Sequence, residues 1–226
     1  MTAPALRRLG EARPSLRADV SQVLRAAVVT GELLPGRIYS VPKLAQQFGV
    51  SATPVREAML ELVQEGLLTP APNKGFRIVE MSDDDLDEIA AVRLLLEPPA
   101  TGEVARRGDR EAVRLLRPVA DSIVTSARAG DLAGYLSADL DFHLGLLALL
   151  GNRRLVDTVR GLRTQTRLYG LTRLAETDRL RGSAMEHLEL LTLVEAGDDA
   201  GAEALLRRHI GHTRGIWSRP RESRPA

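Results

Sequence analysis

The chain changes its sequence pattern near residue 80. From Ser82 to about residue 217, apolar residues recur at the three- and four-residue spacing of α-helices, and no segment alternates convincingly as a strand. We expect Pro98-Pro99 to break or kink the first helix, because proline cannot donate a helical backbone hydrogen bond. This part is therefore predicted to be an all-α bundle of six to seven helices. The helices are predicted at 82–97, 99–107, 109–128, 131–149, 153–174, 178–196 and 199–217.

The first 80 residues contain shorter elements separated by glycine and proline. A helix is expected to end near Gly31, a loop covers 31–37, and two helices follow at about 42–48 and 53–65. Two short strands then flank an Asn-Lys-Gly turn at 73–75, which is a hairpin signal. The order of these elements predicts a winged helix-turn-helix. The fold class is thus mainly α, with one domain at 1–80 and a second at 81–226.

The segment GVSATPVREAMLEL, which spans 49–62, has the pattern of a recognition helix. Val55, Met59, Leu62 and Val63 form the apolar face of the helix, and Thr53 and Arg56 lie on the opposite side. A helix held in this way can enter the major groove with its first turn near the bases, while its free N–H groups receive a phosphate. The pattern alone leaves a second interpretation open, in which the module binds protein and Arg56 is a solvated surface residue.

The charge distribution agrees mildly with a nucleic-acid partner for the first domain. Residues 1–80 contain 10 Lys and Arg against 7 Asp and Glu, whereas residues 81–226 contain 21 against 23. The absence of cysteine excludes disulfides, thiolate nucleophiles and Cys-based zinc sites. Neither a signal-peptide-like apolar region at the start nor a run of about 18 apolar residues is found. We therefore expect a cytoplasmic protein that does not enter a membrane.

All four histidines lie in the second domain, where three of them interrupt apolar helix faces. Asp139 and His143 are four residues apart and share one helix face, and His187 and His209 lie on two later helices. One carboxylate and three imidazoles suit a divalent metal ion, with zinc or nickel the leading candidates. The alternative is that each histidine is a hydrogen-bonded core residue. His212 is either a surface residue or a partner of a metal ligand.

Motifs of the first domain resemble the GntR family of bacterial transcription regulators. They are VVTGELLPGR, SVPKLAQQFGVSATPVREAMLELVQEGLL and the wing NKGFRIV. The resemblance implies that Ser51, Thr53 and Arg56 lie at the DNA, with Gly75 in a wing that enters the minor groove. The family often has Arg where this chain has Ala52, so one base contact is missing. The candidate DNA contacts are Lys43, Ser51, Thr53, Arg56, Lys74, Gly75 and Arg77.

Motifs of the second domain resemble the FCD-type effector domain of the FadR branch of that family. They include SDDDLDEIAAVRLLLEP, the DLDFH of 139–143, GNRRL and GDDAGAEALLRRHI. The resemblance implies that Asp139, His143, His187 and His209 bind a metal ion that helps to hold a small carboxylate effector. Arg93 matches a family position that could pair with the carboxylate, and Arg163 and Arg167 are further candidates for effector binding.

We therefore predict a homodimeric, ligand-responsive transcription repressor that binds a pseudo-palindromic double-stranded operator. A small organic acid at the metal site would control the affinity for DNA. No catalytic residue is assigned, and the chain is not expected to be an enzyme. Two alternatives remain open, which are a metal-dependent enzyme that uses the Asp/His site and a pure metal sensor.

Overall fold

The computed structural model describes residues 16–166 and 178–217. Its N-terminal part combines three helices with a small sheet, and its C-terminal part is helical, which confirms the predicted fold class. The strands are β1 (Ile38–Tyr39), β2 (Leu68–Ala71) and β3 (Gly75–Ile78). The helices are α1 (Leu16–Thr30), α2 (Val41–Phe48), α3 (Ala52–Gln64), α4 (Asp83–Arg107), α5 (Arg110–Arg114), α6 (Arg117–Ala129), α7 (Leu132–Ala148), α8 (Arg153–Thr166), α9 (Asp178–Ala196) and α10 (Asp199–Trp217).

Helices α1, α2 and α3 enclose the N-terminal core. Helix α2 ends at Gly49, whose φ of 66° is the left-handed conformation that stops a helix, and α3 begins after Ser51. Of the apolar face predicted for 53–65, Val55, Met59 and Leu62 are buried, and Val63 is half-buried. Polar contacts help to hold α1 against α3 and its C-cap. Among them, Arg25 Nη2 lies 2.6 Å from an oxygen of Glu65, and Ser21 Oγ donates to Glu61 at 2.9 Å. Core side chains include Val20, Leu24, Val28, Leu44, Val55, Met59 and Leu62.

A three-stranded antiparallel sheet in the order β1-β3-β2 combines a strand that precedes α2 with two strands that follow α3. β2 and β3 form the predicted hairpin, with Leu68 opposite Ile78 and Ala71 opposite Gly75. Strand β1 was not predicted, because its two residues follow a Pro-Gly loop and are too few to show alternation. It pairs with β3 through Tyr39 and Phe76 and so attaches the wing to the α1–α2 connection.

Helix α4 is continuous from Asp83 to Arg107, so the predicted break at Pro98-Pro99 is wrong. Pro98 has no N–H to donate to the carbonyl of Leu94 four residues earlier. The Arg207 side chain on α10 donates to that carbonyl at 3.3 Å and replaces the missing donor. Contacts with α10 along the length of α4 therefore keep the helix intact through both prolines.

The predicted helix at 109–128 is two helices, α5 and α6, so the single-helix prediction is also wrong. Pro118 lies in the first turn of α6, where a missing N–H costs nothing because that group has no helical partner. Asp109 caps α5 by accepting from the backbone N–H of Ala112 at 3.1 Å. The predicted helix at 153–174 is observed as α8 to Thr166, and its remainder lies outside the described residues.

Helix α7 is buried on two sides, which explains how a polar stripe on it comes to lie inside the protein. One side contributes to the main helical core with α4, α6, α9 and α10, and the other packs on α8 in a smaller cluster. The main core includes Ile123, Phe142, Leu146, Leu191, Leu206 and Ile210. Among the residues described, no helix is long and apolar enough to span a membrane.

Candidate metal centre and nucleic-acid interface

Helix α7 contributes two polar side chains to the inside of the C-terminal domain. Asp139 is 8% exposed and His143 is 2% exposed. They are one helical turn apart, which places a carboxylate oxygen of Asp139 3.7 Å from His143 Nε2. The ring of Phe142 packs edge-on against His143 and His187, with centroids 5.3 Å away in each case. An apolar wall therefore limits the orientation of both imidazoles.

Helices α9 and α10 bring the other two predicted ligands to the same place. His187 on α9 and His209 on α10 are 1% and 3% exposed, and their ring centroids lie 4.7 Å apart. Nε2 of His187 lies 3.1 Å from both His143 Nε2 and Asp139 Oδ1. One potential ligand atom from each of the four residues lies within 4.8 Å of the other three. Residues separated by up to 70 positions in the chain thus form one buried cluster.

A backbone carbonyl fixes the proton of one imidazole in this cluster, and a nitrogen of another imidazole has no hydrogen-bond partner among the described residues. Nδ1 of His187 faces the backbone oxygen of Ser183 at 3.0 Å, and because a carbonyl only accepts, that nitrogen carries the proton. In the neutral ring Nε2 then presents a lone pair toward the Asp139 carboxylate, which is also an acceptor. Nε2 of His209 is buried without a hydrogen-bond partner in the described structure. A cation can bind where nitrogen and oxygen lone pairs converge, and it would give the unpaired nitrogen of His209 a partner. The four side chains are therefore suited to hold a metal ion.

Burial keeps two of these imidazoles neutral, which is the form that binds metal. Burial, followed by the positive charge of Arg163, lowers the pKa of His143 well below 6.5. Burial also lowers the pKa of His209 to about 4, although its hydrogen bond to Glu186 acts in the opposite direction. Both rings are therefore neutral at pH 7.

A buried chain of ion pairs lies beside the cluster and uses two of the arginines predicted for effector binding. Arg163 Nη1 contacts Asp139 Oδ2 at 3.3 Å, and its Nε donates to Glu97 at 2.9 Å. Arg93 Nε donates to the other oxygen of Glu97 at 2.7 Å. Burial acts to raise the pKa of Glu97, but the charges of Arg163 and Arg93 outweigh it and hold that pKa below its usual value. Arg167 lies outside the described residues.

Two glutamates around the cluster were not identified from the sequence. Glu97 is 1% exposed and lies between two arginines, and Glu186 is half-buried and bonded to His209 and His212. Burial acts to raise the pKa of Glu186, but the hydrogen bonds from both histidines keep it below its usual value. The signals available in the sequence were the four-residue spacing of Arg93 and Glu97 and the position of Glu186 just before His187.

Most of the predicted DNA contacts lie on the exposed side of the N-terminal part. Ser51 occupies the N-cap position of α3, yet its hydroxyl makes no capping hydrogen bond. Helix α3 exposes Thr53, Arg56, Glu57 and Leu60 and buries Val55, Ala58, Met59 and Leu62. The other exposed candidates are Lys43 on α2, Lys74 in the wing turn and Arg77 on β3.

Gly75 and Arg77 each have a contact within the protein. At Gly75, φ is 124° and an added Cβ would lie 2.1 Å from the backbone oxygen of Tyr39, so this position needs glycine to pair with β1. Arg77 Nη1 donates to the carbonyl of Gly36 at 2.6 Å, which ties the wing to the loop before β1. Both residues thus support the shape of the wing itself.

A helix held across the face of two others, followed by a hairpin wing, defines the winged helix-turn-helix class of DNA-binding proteins. Comparison with family models agrees with this architecture in both parts. Residues 16–78 match the model of bacterial regulatory proteins of the gntR family, and residues 88–212 match the FCD domain. The chain belongs to the GntR family of transcription regulators and carries an FCD domain.

Individual relatives cover nearly the whole chain. An uncharacterized HTH-type transcriptional regulator of Streptomyces ambofaciens is 31% identical over 198 residues, covering 86% of this chain and 81% of the relative. The HTH-type transcriptional repressor GlaR of Escherichia coli is 25% identical over 197 residues, or 83% of this chain and 89% of GlaR. The structure of E. coli McbR/YncC superposes with a TM-score of 0.74 at 27% identity, covering 90% of this chain and 97% of that one.

Proposed function

We propose that this chain is a metal-containing transcription repressor whose affinity for its operator is controlled by a small carboxylate effector. The observation that carries the proposal is the convergence of Asp139, His143, His187 and His209 on one buried point, with an orphaned nitrogen on His209. A buried group of this kind is costly unless something satisfies it. A divalent cation bound by these four side chains, zinc or nickel, would do so.

The effector would bind where the metal and the arginines are close together. A bound cation would supply Lewis acidity and positive charge that attract a carboxylate oxygen. Arg93 uses only its Nε for Glu97 within the described part of the chain, so its terminal nitrogens remain available to a carboxylate. Arg163 is engaged by Glu97 and Asp139, which favours a role in orienting Asp139. Arg167 remains a candidate on the sequence pattern alone.

Helix α3 would enter the major groove, and the wing would contact the adjacent minor groove. The exposure of Thr53 and Arg56 and the uncommitted hydroxyl of Ser51 support this placement. Ala52 offers no donor at a position where relatives often have arginine, so the preferred operator would differ from theirs at one base pair. The proposed contacts are Lys43, Ser51, Thr53, Arg56, Lys74, Gly75 and Arg77.

A homodimer on a pseudo-palindromic operator is part of the proposal. Val92 and Leu95 lie three residues apart on α4 and are 41% and 75% exposed. Exposed Ala91 and Pro99 extend this apolar stripe along the helix. Burial against the same stripe of a second copy would remove it from water and set the distance between two α3 helices.

Several further assignments rest on the relatives and on the sequence pattern. The description of GlaR as a repressor supports repression here, and the regulators found among the relatives support a chain that is not an enzyme. We place the domain boundary at residues 80 and 81, between the two matched regions. A member of the FadR branch that binds chromosomal DNA would act in the cytoplasm.

The test begins with the metal. The wild-type protein, purified without chelators, should contain about one divalent ion per chain and should lose it on prolonged treatment with a strong chelator. Asp139→Asn should lower the metal content and the melting temperature. Asp141→Asn is the matched control, because Asp141 lies two residues further on α7 and is exposed. It should leave both quantities unchanged.

The second step measures control of DNA binding. An operator selected from random duplexes would be titrated with metal-loaded protein in the presence of a panel of mono-, di- and hydroxycarboxylates. At least one acid should shift the affinity for the operator, and Asp139→Asn should remove that shift. A wild-type chain that binds no divalent metal would overturn the proposal. Operator affinity that follows the metal alone, with no response to any acid, would replace it by a pure metal sensor.

A further inference from the structure

Glu186 is the side chain that joins the candidate metal centre to the protein surface. It precedes His187 on α9 and reaches across to α10, where one of its oxygens lies 2.7 Å from Nδ1 of His209. Its other oxygen lies 3.0 Å from Nδ1 of His212. His209 is buried and the His212 side chain is 61% exposed. A single carboxylate is therefore held by two histidines that are three residues apart on one helix.

The chemistry of these contacts fixes which nitrogen of His209 carries its proton. An ionised carboxylate has no hydrogen to donate, so Nδ1 of His209 must donate to Glu186. A neutral imidazole has one N–H, and its Nε2 then carries a bare lone pair. That atom is buried without a hydrogen-bond partner among the described residues, and one ring nitrogen of His209 lies within 4.8 Å of a ligand atom from each of the other three residues of the cluster. In the opposite tautomer Nε2 would carry the proton and could not bind a cation.

The Nδ1 atom of His187 also has a hydrogen-bond partner, but that partner is the backbone and not a side chain. Nδ1 of His187 faces the backbone oxygens of Ser183 and Ala184, at 3.0 and 3.3 Å, which belong to its own helix. Those carbonyls keep the proton on Nδ1 whatever the neighbouring side chains are. His209 has only the Glu186 carboxylate for this purpose in the described structure. The orientation of His209 therefore depends on a side chain that can be replaced.

We propose that Glu186 is a positioning residue that holds His209 in the Nδ1–H tautomer and aims its Nε2 at a divalent cation. His212 holds the second oxygen of the same carboxylate and limits its rotation. This inference rests on the proposed metal function and adds two residues to it. A carboxylate that accepts from the outer nitrogen of a metal-bound imidazole also raises the basicity of the ring, and its loss typically weakens metal binding by about 10- to 100-fold.

The competing interpretation is that Glu186 only ties α9 to α10. A tie of that kind would affect the stability of the metal-free protein and leave its intrinsic affinity for metal unchanged. The two roles can be separated by measuring metal affinity and metal-free stability on the same variants. They also differ in the tautomer of His209, which can be observed by NMR of the imidazole nitrogens without any metal present.

The experiment compares Glu186→Ala, Glu186→Gln and the matched control Glu189→Ala on chelator-treated full-length protein. Glu189 lies three residues further on α9 and is exposed. Affinity for Zn²⁺ or Co²⁺ would be measured by competition with a chromophoric chelator. We expect Glu186→Ala to weaken binding by about 10- to 100-fold. Glu186→Gln should weaken it less, because its amide oxygen can still accept from Nδ1, and Glu189→Ala should match the wild type.

His212→Ala tests the outer end of the arrangement. It should weaken metal binding by a smaller factor than Glu186→Ala does, because the carboxylate keeps its bond to His209. In the metal-free wild type, NMR should show the proton of His209 on Nδ1, and Glu186→Ala should shift the population toward Nε2–H. If the Ala variant is poorly folded, the weaker metal binding of Glu186→Gln relative to the wild type and Glu189→Ala still tests the proposal.

Two results would overturn the inference. One is unchanged metal affinity in Glu186→Ala together with a lower metal-free melting temperature, which would leave Glu186 as a structural tie. The other is a metal-free wild type with His209 in the Nε2–H tautomer. Failure of the metal function itself looks different, since the wild type, the control and every Glu186 variant would then all show no binding of Zn²⁺ or Co²⁺.

Discussion

Arg56 and Arg163 show that the environment decides what an arginine does in this protein. Arg56 is exposed on α3 and makes no ion pair or hydrogen bond with the described residues, so its guanidinium is available to DNA. Arg163 is 3% exposed and contacts both Glu97 and Asp139. With 29 arginines in the chain, composition alone does not distinguish these two uses.

Replacement of Arg56 should affect DNA binding without affecting folding. We expect Arg56→Ala to weaken binding to the selected operator by about tenfold or more and to relax the sequence preference near that contact. The melting temperature should stay the same, because the side chain packs against nothing. Fluorescence anisotropy with operator and scrambled duplexes measures both effects. Arg128→Ala removes the same charge from an exposed position on α6 and serves as the control. Equal losses in the two variants would refute the assigned contact.

Replacement of Glu97 should destabilise the helical domain strongly. Glu97→Ala would leave Arg93 and Arg163 buried without their shared carboxylate, and breaking a buried pair in this way costs about 3–5 kcal/mol. Glu103→Ala, on the same helix, removes a partly exposed glutamate that pairs with Arg106 and Arg107 and should change little. Urea denaturation of both metal-free variants gives the comparison. A loss in Glu97→Ala no larger than in Glu103→Ala would show that the network is not needed for stability.

At the scale of secondary structure, glycine and proline residues have effects that depend on what packs against them. Pro98 and Pro99 do not interrupt α4, since Arg207 supplies a donor to the freed carbonyl of Leu94. Gly75 is required because β3 approaches β1 too closely for any side chain. Local sequence rules predict a break at the two prolines and a hairpin turn that includes Gly75. Both outcomes depend on an element that is distant in the chain.

Two glycine substitutions should change stability in opposite directions. Gly75→Ala combines a positive φ with a Cβ placed 2.1 Å from Tyr39 O, so we expect a loss of about 2 kcal/mol or more. Gly161→Ala lies within α8 with nothing within 4 Å of the added Cβ, and it should gain about 0.5–1 kcal/mol from helix propensity. Thermal melts of both variants test the pair. A neutral Gly75→Ala would mean that β1 and β3 are not paired in solution.

For the molecule as a whole, the proposed metal site would couple the stability of the C-terminal domain to its metal occupancy. Its four residues come from α7, α9 and α10, and the same helices contribute to the main apolar core. Loss of the cation would leave lone pairs facing one another at the centre of the domain. The metal-free domain is therefore expected to be less stable and more sensitive to acid than a domain with an apolar core.

Acid should destabilise the metal-free protein in a defined range. The folded-state pKa values of His143 and His209 lie below 6.5, so the unfolded chain binds protons that the folded chain does not. The free energy of unfolding should have its full value above pH 6.5 and decrease as the pH is lowered from there to about 4. At that pH His209 also becomes protonated in the folded state. The loss by about pH 5 should be on the order of 2 kcal/mol for His209 alone, and His143 adds to it in the same direction. Urea denaturation of chelator-treated protein at several pH values measures it. His209→Gln should flatten the dependence, and an unchanged slope in that variant would contradict the assignment.

The sequence by itself determined the elements whose signals are local and the family to which the chain belongs. Spacing of two, three or four residues fixes which side chains share a face of a strand or helix. Such spacing predicted the recognition helix, the hairpin, the start of α4 and the four ionisable residues on apolar helix faces. That Asp139, His143, His187 and His209 belong to one site was predicted from this spacing together with the family resemblance. The metal ion bound there remains a proposal.

Only the tertiary structure decided which distant groups meet. It placed Glu97 between Arg93 and Arg163, put Glu186 on His209 and His212, paired β1 with β3, and kept α4 continuous through two prolines. Contacts across tens of residues depend on how helices pack, and no residue pattern within one helix records its neighbour. Arg163 could therefore be selected from the sequence as a candidate, while its partners, and with them its role beside Asp139, became visible only in the folded chain.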